Sequence, residues 1–168
     1  MMRPIMARNK QGFVGDIAIV MVVLFILAIT VVVGWKLMKD YNSRYQDSGA
    51  SANAKALVND NASRYVSIFD GIYAFVLAAL AIMLFISSAY IGSRPEFFFI
   101  TLIAGVMFIG ASAVLSNTFE AVSSNDALVN ETADFTYMPI IMDKFPMVVF
   151  VLVMAFGLGL YFKIKGVL

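Results

Sequence analysis

The chain has 168 residues, of which 61% are hydrophobic and 14% charged, and its formal net charge is +1. A soluble domain holds nearer a quarter charged residues, so this much apolar surface calls for lipid as part of its solvent. A nearly neutral chain gives no reason to expect nucleic acid as a partner. Cys and His are both absent, which excludes disulfides, thiolate chemistry and Cys- or His-based metal sites and removes the commonest general base.

The length allows one domain, residues 1–168. The first apolar run, Ile17 to Trp35, is nineteen residues without a charge, roughly 28 Å as a helix, which matches a hydrocarbon core. It predicts a first span at about 17–37, with Asp16 at the N-cap position. Trp35 is placed like an aromatic belt residue, and Lys36 and Lys39 are placed to snorkel to an interface. Arg3, Arg8 and Lys10 make a basic lead. The apolar run is too long for the core of a cleaved signal peptide and no small-x-small site follows it closely, so an uncleaved signal anchor is expected. Lys10-Gln11-Gly12-Phe13 has a faint prepilin look, but three further spans argue against a pilin, which leaves the membrane on one helix.

Residues 36–66 read as an extramembrane helical arm. Leu37, Tyr41 and Tyr45 recur every four residues, and Ala54, Val58, Ala62, Tyr65 and Phe69 recur at spacings of four, four, three and four, each series a helical stripe. Asp47-Ser48-Gly49-Ala50 supplies a break between them. The expectation is a helical hairpin protruding between spans one and two, with Tyr41, Tyr45, Val58 and Tyr65 as candidate partner contacts and the tip, Asp47 to Asn53, as the contact point.

The second and third spans follow at about 68–92 and 96–115. Ser93 and Glu96 between them have capping-box spacing, and Pro95 suits a first helical turn. Residues 116–144 form an acidic loop, with Glu120, Asp126, Glu131, Asp134 and Asp143 against Lys144. A short helix is expected around Thr118–Ser123, followed by a looser stretch whose Phe135, Tyr137, Met138, Ile140 and Ile141 lie back on the membrane or the arm. The fourth span runs at about 145–163, with Asp143 before it and Pro146 in its first turn. The fold expected is therefore all-α, with four transmembrane helices.

The four apolar cores contain no Asp, Glu, Lys or Arg. Ion-coupled transport, proton relays and intramembrane proteolysis rely on such groups. Asp70 comes nearest, at the mouth of span two, and reads as an interfacial acid at a helix end. Thr30, Ser87, Ser88, Thr101 and Ser112 lack a base and are poor nucleophiles, better suited to packing. Asp126, Glu131 and Asp134 could converge on a cation, but a solvated acidic face is the simpler reading. No catalytic, cofactor or metal site is expected, and single neutralisation of Asp70, Asp126, Glu131 or Asp134 is expected to leave assembly intact. Small residues do carry a packing signal. Ala74 and Ala78, Ser88 and Gly92, and Ala155 and Gly159 have small-xxx-small spacing, and Gly105 and Gly110 smooth one face of span three.

Lys and Arg divide equally between the two sides of a four-span topology, so the positive-inside rule decides only through the N-terminal cluster, which places both termini on the inner side.

The order of punctuation carries a resemblance. A Lys10-Gln11-Gly12-Phe13-Val14-Gly15-Asp16 lead precedes the first span and the arm follows it. Arg94-Pro95-Glu96-Phe97-Phe98 marks a tight hairpin, Leu115-Ser116-Asn117-Thr118-Phe119-Glu120 an exit, and Phe145-Pro146 the entry to the last span. Over most of its length the chain resembles small integral membrane proteins of icosahedral viruses with an internal membrane and double jelly-roll capsids. The resemblance implies a structural component of a virion membrane, anchored in the lipid bilayer beneath the capsid. It implies other membrane or capsid proteins as partners, and multiple copies or a homo-oligomer. An accessory subunit of a cellular membrane complex is the alternative. A holin or small channel ranks third, because the spans offer little polar lining for a pore.

Overall fold

The computed structural model describes residues 12–90 and 95–165, with side chains for 17–86 and 99–165. No strand occurs among the described residues. The described residues form six helices in chain order: α1 (Gly12–Gln46), α2 (Ala52–Tyr90), α3 (Pro95–Ser123), α4 (Val129–Ala133), α5 (Tyr137–Asp143) and α6 (Phe145–Ile164). Four of them, α1, α2, α3 and α6, are long and apolar enough to cross a membrane.

The four long helices are apolar on nearly every side, as expected where lipid covers the outer face. On α1, Ile17, Met21, Leu24, Ala28, Val31, Val32 and Trp35 are buried, while Ile19, Val22, Val23, Ile26 and Val33 are exposed. Val32 aside, the buried set advances by alternating steps of four and three, the seam of a helix packed at a shallow angle. α6 packs most extensively on α3 and also lies against α2, and α1 touches α2 and α3. Phe145, Val149, Leu152, Val153 and Phe156 form the buried face of α6.

Three local expectations are corrected. α1 already begins at Gly12, so Asp16 lies inside the helix rather than at its cap. α3 runs on to Ser123 as one helix, so the short helix expected near Thr118 is its last turns. The stretch after it is not loose, because α4 and α5 occupy most of it. There Phe135 and Met138 are buried, Ile141 is half-buried, and Tyr137 and Ile140 are exposed. The Ser93–Glu96 capping box lies outside the described residues, although Pro95 does open α3.

α1 and α2 are joined by residues 47–51 and lie side by side. The Ser51 hydroxyl accepts from the Ala54 amide at 3.4 Å, as an N-cap does. The Lys55 ammonium donates to the last carbonyl of α1, that of Gln46, at 2.6 Å, a place where a cation suits the helix end. Gln46 returns a bond from its amide to the Lys55 carbonyl at 3.0 Å. Further along, Asn42 donates to Asn59 at 3.2 Å. The Ala54–Phe69 stripe of α2 is buried or half-buried, with Ala62 at the contact. Of the stripe read on α1, Leu37 and Tyr41 are exposed and Tyr45 is half-buried. Trp35, Met38, Asn42 and Gln46 stand inward instead.

Candidate functional site

Polar chemistry concentrates where α4 and α5 meet the long helices, and its centre is α5. Seven residues are too few to hold a helix on their own, and both ends of this one are capped by other parts of the chain. A helix leaves its first four N–H groups without internal acceptors. In α5 three of these belong to Thr136, Tyr137 and Met138. They donate to the Asp70 carboxylate of α2 at 2.9, 2.9 and 2.8 Å. The fourth position is Pro139, which has no N–H to satisfy.

At the other end, the Ser116 hydroxyl of α3 donates towards the carbonyls of Met142 and Asp143, at 2.7 and 3.0 Å. These are the last carbonyls of α5. Beside them the Tyr73 hydroxyl of α2 meets the Met142 sulfur at 3.0 Å. Tyr73 and Met142 are fully buried. Asp70 is 5% exposed, and no buried side-chain N or O among the described residues lacks a hydrogen-bond partner. Asp70 is thus not the interfacial helix-end acid read from sequence but a buried cap within α2, 66 residues away from the first amide it serves.

A second group ties α1 to α4 and its C-terminal flank. The Trp35 indole donates to the Asp134 carboxylate at 2.8 Å. Lys39 reaches the same carboxylate at 3.4 Å and Glu131 at 3.7 Å. Lys39 is about half exposed, so those ion pairs add little to stability. Tyr65 stacks on Trp35 with ring centroids 5.6 Å apart and leans on Phe69 at 4.3 Å. Its hydroxyl lies over the backbone of α1 near Gly34 and Val31. A side chain at Gly34 would collide with it.

Among the four arm residues singled out by sequence, Tyr65 is committed to this internal stack and Val58 is half-buried. Tyr45 stacks on Tyr41 at 5.8 Å, and Tyr41 is exposed. The small residues divide in the same way. Gly105 is buried on α3, where a Cβ would come within 2.5 Å of Val153 of α6. Gly159 is buried and Ala155 half-buried, whereas Gly110 has nothing within 4 Å of a would-be Cβ. Ala74 is half-buried and Ala78 exposed. The Ser88 side chain and Gly92 lie outside the described residues.

Asp126 is exposed and takes no part in the pairing of Glu131 and Asp134 with Lys39. No cluster of acidic residues suited to a metal ion occurs among the described residues. The acids that are buried or half-buried here already have protein donors. What the arrangement does chemically is fasten helices together: both Asp70 oxygens and the inner Asp134 oxygen are taken up by N–H groups. Sequence reasoning missed the Asp70 and Ser116 caps. The available signal was Thr136-Tyr137-Met138-Pro139, which reads as a helix start in need of an acceptor. No protein-family model, curated protein or solved structure matches this chain.

Proposed function

We propose that this is a structural membrane protein that holds a stiff helical arm out of one membrane face for other subunits of a multi-copy assembly to dock on. The observation that carries the reading is the continuity of α1 and α2 through and beyond their apolar lengths. From Trp35 to Gln46, eleven further residues extend α1 by roughly 16 Å. A tether would need no such order. Here the arm is tied along its length by the Trp35–Tyr65 stack, the Asn42–Asn59 bond and the reciprocal Gln46–Lys55 bonds. Leu37, Tyr41 and Leu57 remain exposed on it, and aromatic side chains are favoured contact residues in interfaces.

The resemblance to membrane proteins of internal-membrane viruses supplies the assembly: a virion vesicle, with the arm beneath the capsid and both termini on the inner side. Uncharged apolar cores, and the use of Asp70 and Asp134 as hydrogen-bond acceptors for other helices, support a non-catalytic role. The test uses the intact assembly or its detergent extract. Ala62→Pro breaks α2 at a buried contact with α1 and should abolish co-purification of the partner while the protein still inserts. Tyr41→Ala, at an exposed position, should weaken that association without altering helix content. Unchanged association in both variants would end the docking proposal.

A further inference from the structure

Between α2 and α6 lies an open groove of about 520 Å³, within the size range of ligand sites. On α2 it is lined by Ala74, Leu77, Ala78 and Ala81, and the three short alanine side chains leave a trough beside Leu77. Val151 and its neighbours on α6 line the opposite side, and α5 contributes Ile140 and Ile141. Every lining residue is apolar except Lys144, which stands at the end where α6 begins. Ala74 to Ala81 spans about 10 Å of helix, and Lys144 to Val151 the same. The groove therefore runs from the membrane interface partway into one leaflet.

A trough inside a bilayer forfeits dispersion contacts unless something fills it. A trough two turns long, with Leu77 among its alanines, makes a short seat for a neighbouring helix, which would contact a much longer stretch of α2. A flexible hydrocarbon chain fits it without such a demand. The one charge on the groove then selects the kind of chain. Lys144 forms no ion pair among the described residues, and it sits at the N-terminus of a twenty-residue helix, whose partial positive charge favours an anion. Asp143 next to it is exposed and carries the opposite sign, so the cation and helix end act against one nearby acid. Basic positions between transmembrane helices at the interface suit anionic head groups. A phospholipid matches this order of features, anion at the interface and hydrocarbon inward.

We propose that the groove binds one acyl chain of an anionic phospholipid, with its phosphate on Lys144. The site needs only the membrane location and does not depend on the docking role of the arm. The test is native mass spectrometry of the full chain in mild detergent, offered equal amounts of phosphatidylglycerol and phosphatidylcholine with identical chains. The wild type should retain one lipid, phosphatidylglycerol in preference. Lys144→Gln should reduce that preference by about five-fold, the weight of one interfacial lysine. Ala78→Leu, filling an exposed groove position, should reduce retention of both lipids. Ala79→Leu, also exposed but not lining the groove, should change neither and reports on folding. Retention of phosphatidylglycerol at wild-type levels in Lys144→Gln and Ala78→Leu would overturn the proposal. So would a wild-type dimer free of lipid that Ala78→Leu converts to monomer, since the groove would then belong to a second copy.

Discussion

Asp70→Asn removes a charge and one acceptor oxygen while keeping the side chain's size. In the native protein the carboxylate accepts from three amides at 2.8 to 3.0 Å in a site 5% exposed. An Asn side chain keeps one oxygen and turns an NH₂ group towards at least one of the same donors. Hydrogen bonds to a charged group contribute about 1.5–3 kcal/mol, and a buried donor left unpaired costs about 1–3 kcal/mol. The expected loss is about 3 kcal/mol, or about a hundred-fold in the local opening equilibrium, concentrated at the start of α5. Hydrogen exchange in detergent micelles should show that loss of protection in residues 137–143, with a lower thermal midpoint for the whole chain. Asp126→Asn, at an exposed position, is the matched control and should stay within about 0.5 kcal/mol of the wild type. Equal exchange in the two variants would refute the capping argument and restore the reading of Asp70 as an interfacial helix-end acid.

Gly105→Ala should destabilise by about 1–3 kcal/mol, because its methyl group meets the stiff, branched Val153. Adding Val153→Ala should recover part of that loss in thermal unfolding, whereas Gly110→Ala, with open space around it, should be neutral or slightly stabilising. Trp35→Phe keeps the stack on Tyr65 but loses the bond to Asp134, costing about 1 kcal/mol. Lys39→Ala should cost less than that in the same assay, since its ion pairs are half exposed.

The four spans were legible in the sequence because a helix that is apolar all round has few places to go other than lipid. The return stripe Ala54, Val58, Ala62, Tyr65 and Phe69 was legible for a related reason: its spacing and its burial coincide. The stripe Leu37, Tyr41 and Tyr45 was legible as a periodicity, but hydropathy does not say which face of α1 meets α2. Leu37 and Tyr41 are more apolar than Asn42 and Gln46, yet the latter face α2, where amide side chains pair with Asn59 and with the Lys55 backbone. Small-residue spacing had the same weakness. It finds surfaces that permit close approach, and Gly105 makes one with Val153, but Ala74 and Ala78 border a groove. The Asp70 cap was hidden most deeply, since its meaning depends on amides 66 to 68 residues away.

A carboxylate buried at the entrance to an apolar span carries a desolvation cost, so its presence calls for a reason beyond stability. Inside a bilayer, apolar helices gain nothing from the hydrophobic effect by meeting one another, and smooth faces can slide or rotate at small cost. Directional bonds remove that freedom. Asp70 fixes α2 against the start of α5, and Ser116 fixes α3 against its end. α6 begins immediately after α5, with Lys144 the single residue between them. One seven-residue helix therefore sets the axial register of three spanning helices. Trp35 adds the fourth through Asp134, three residues upstream of α5. The polar contacts that define the bundle gather at the same end as the connection between α1 and α2. Any axial slip of α1 against α2 would break the reciprocal Gln46–Lys55 bonds, so the far end of the helix pair is held in register as well.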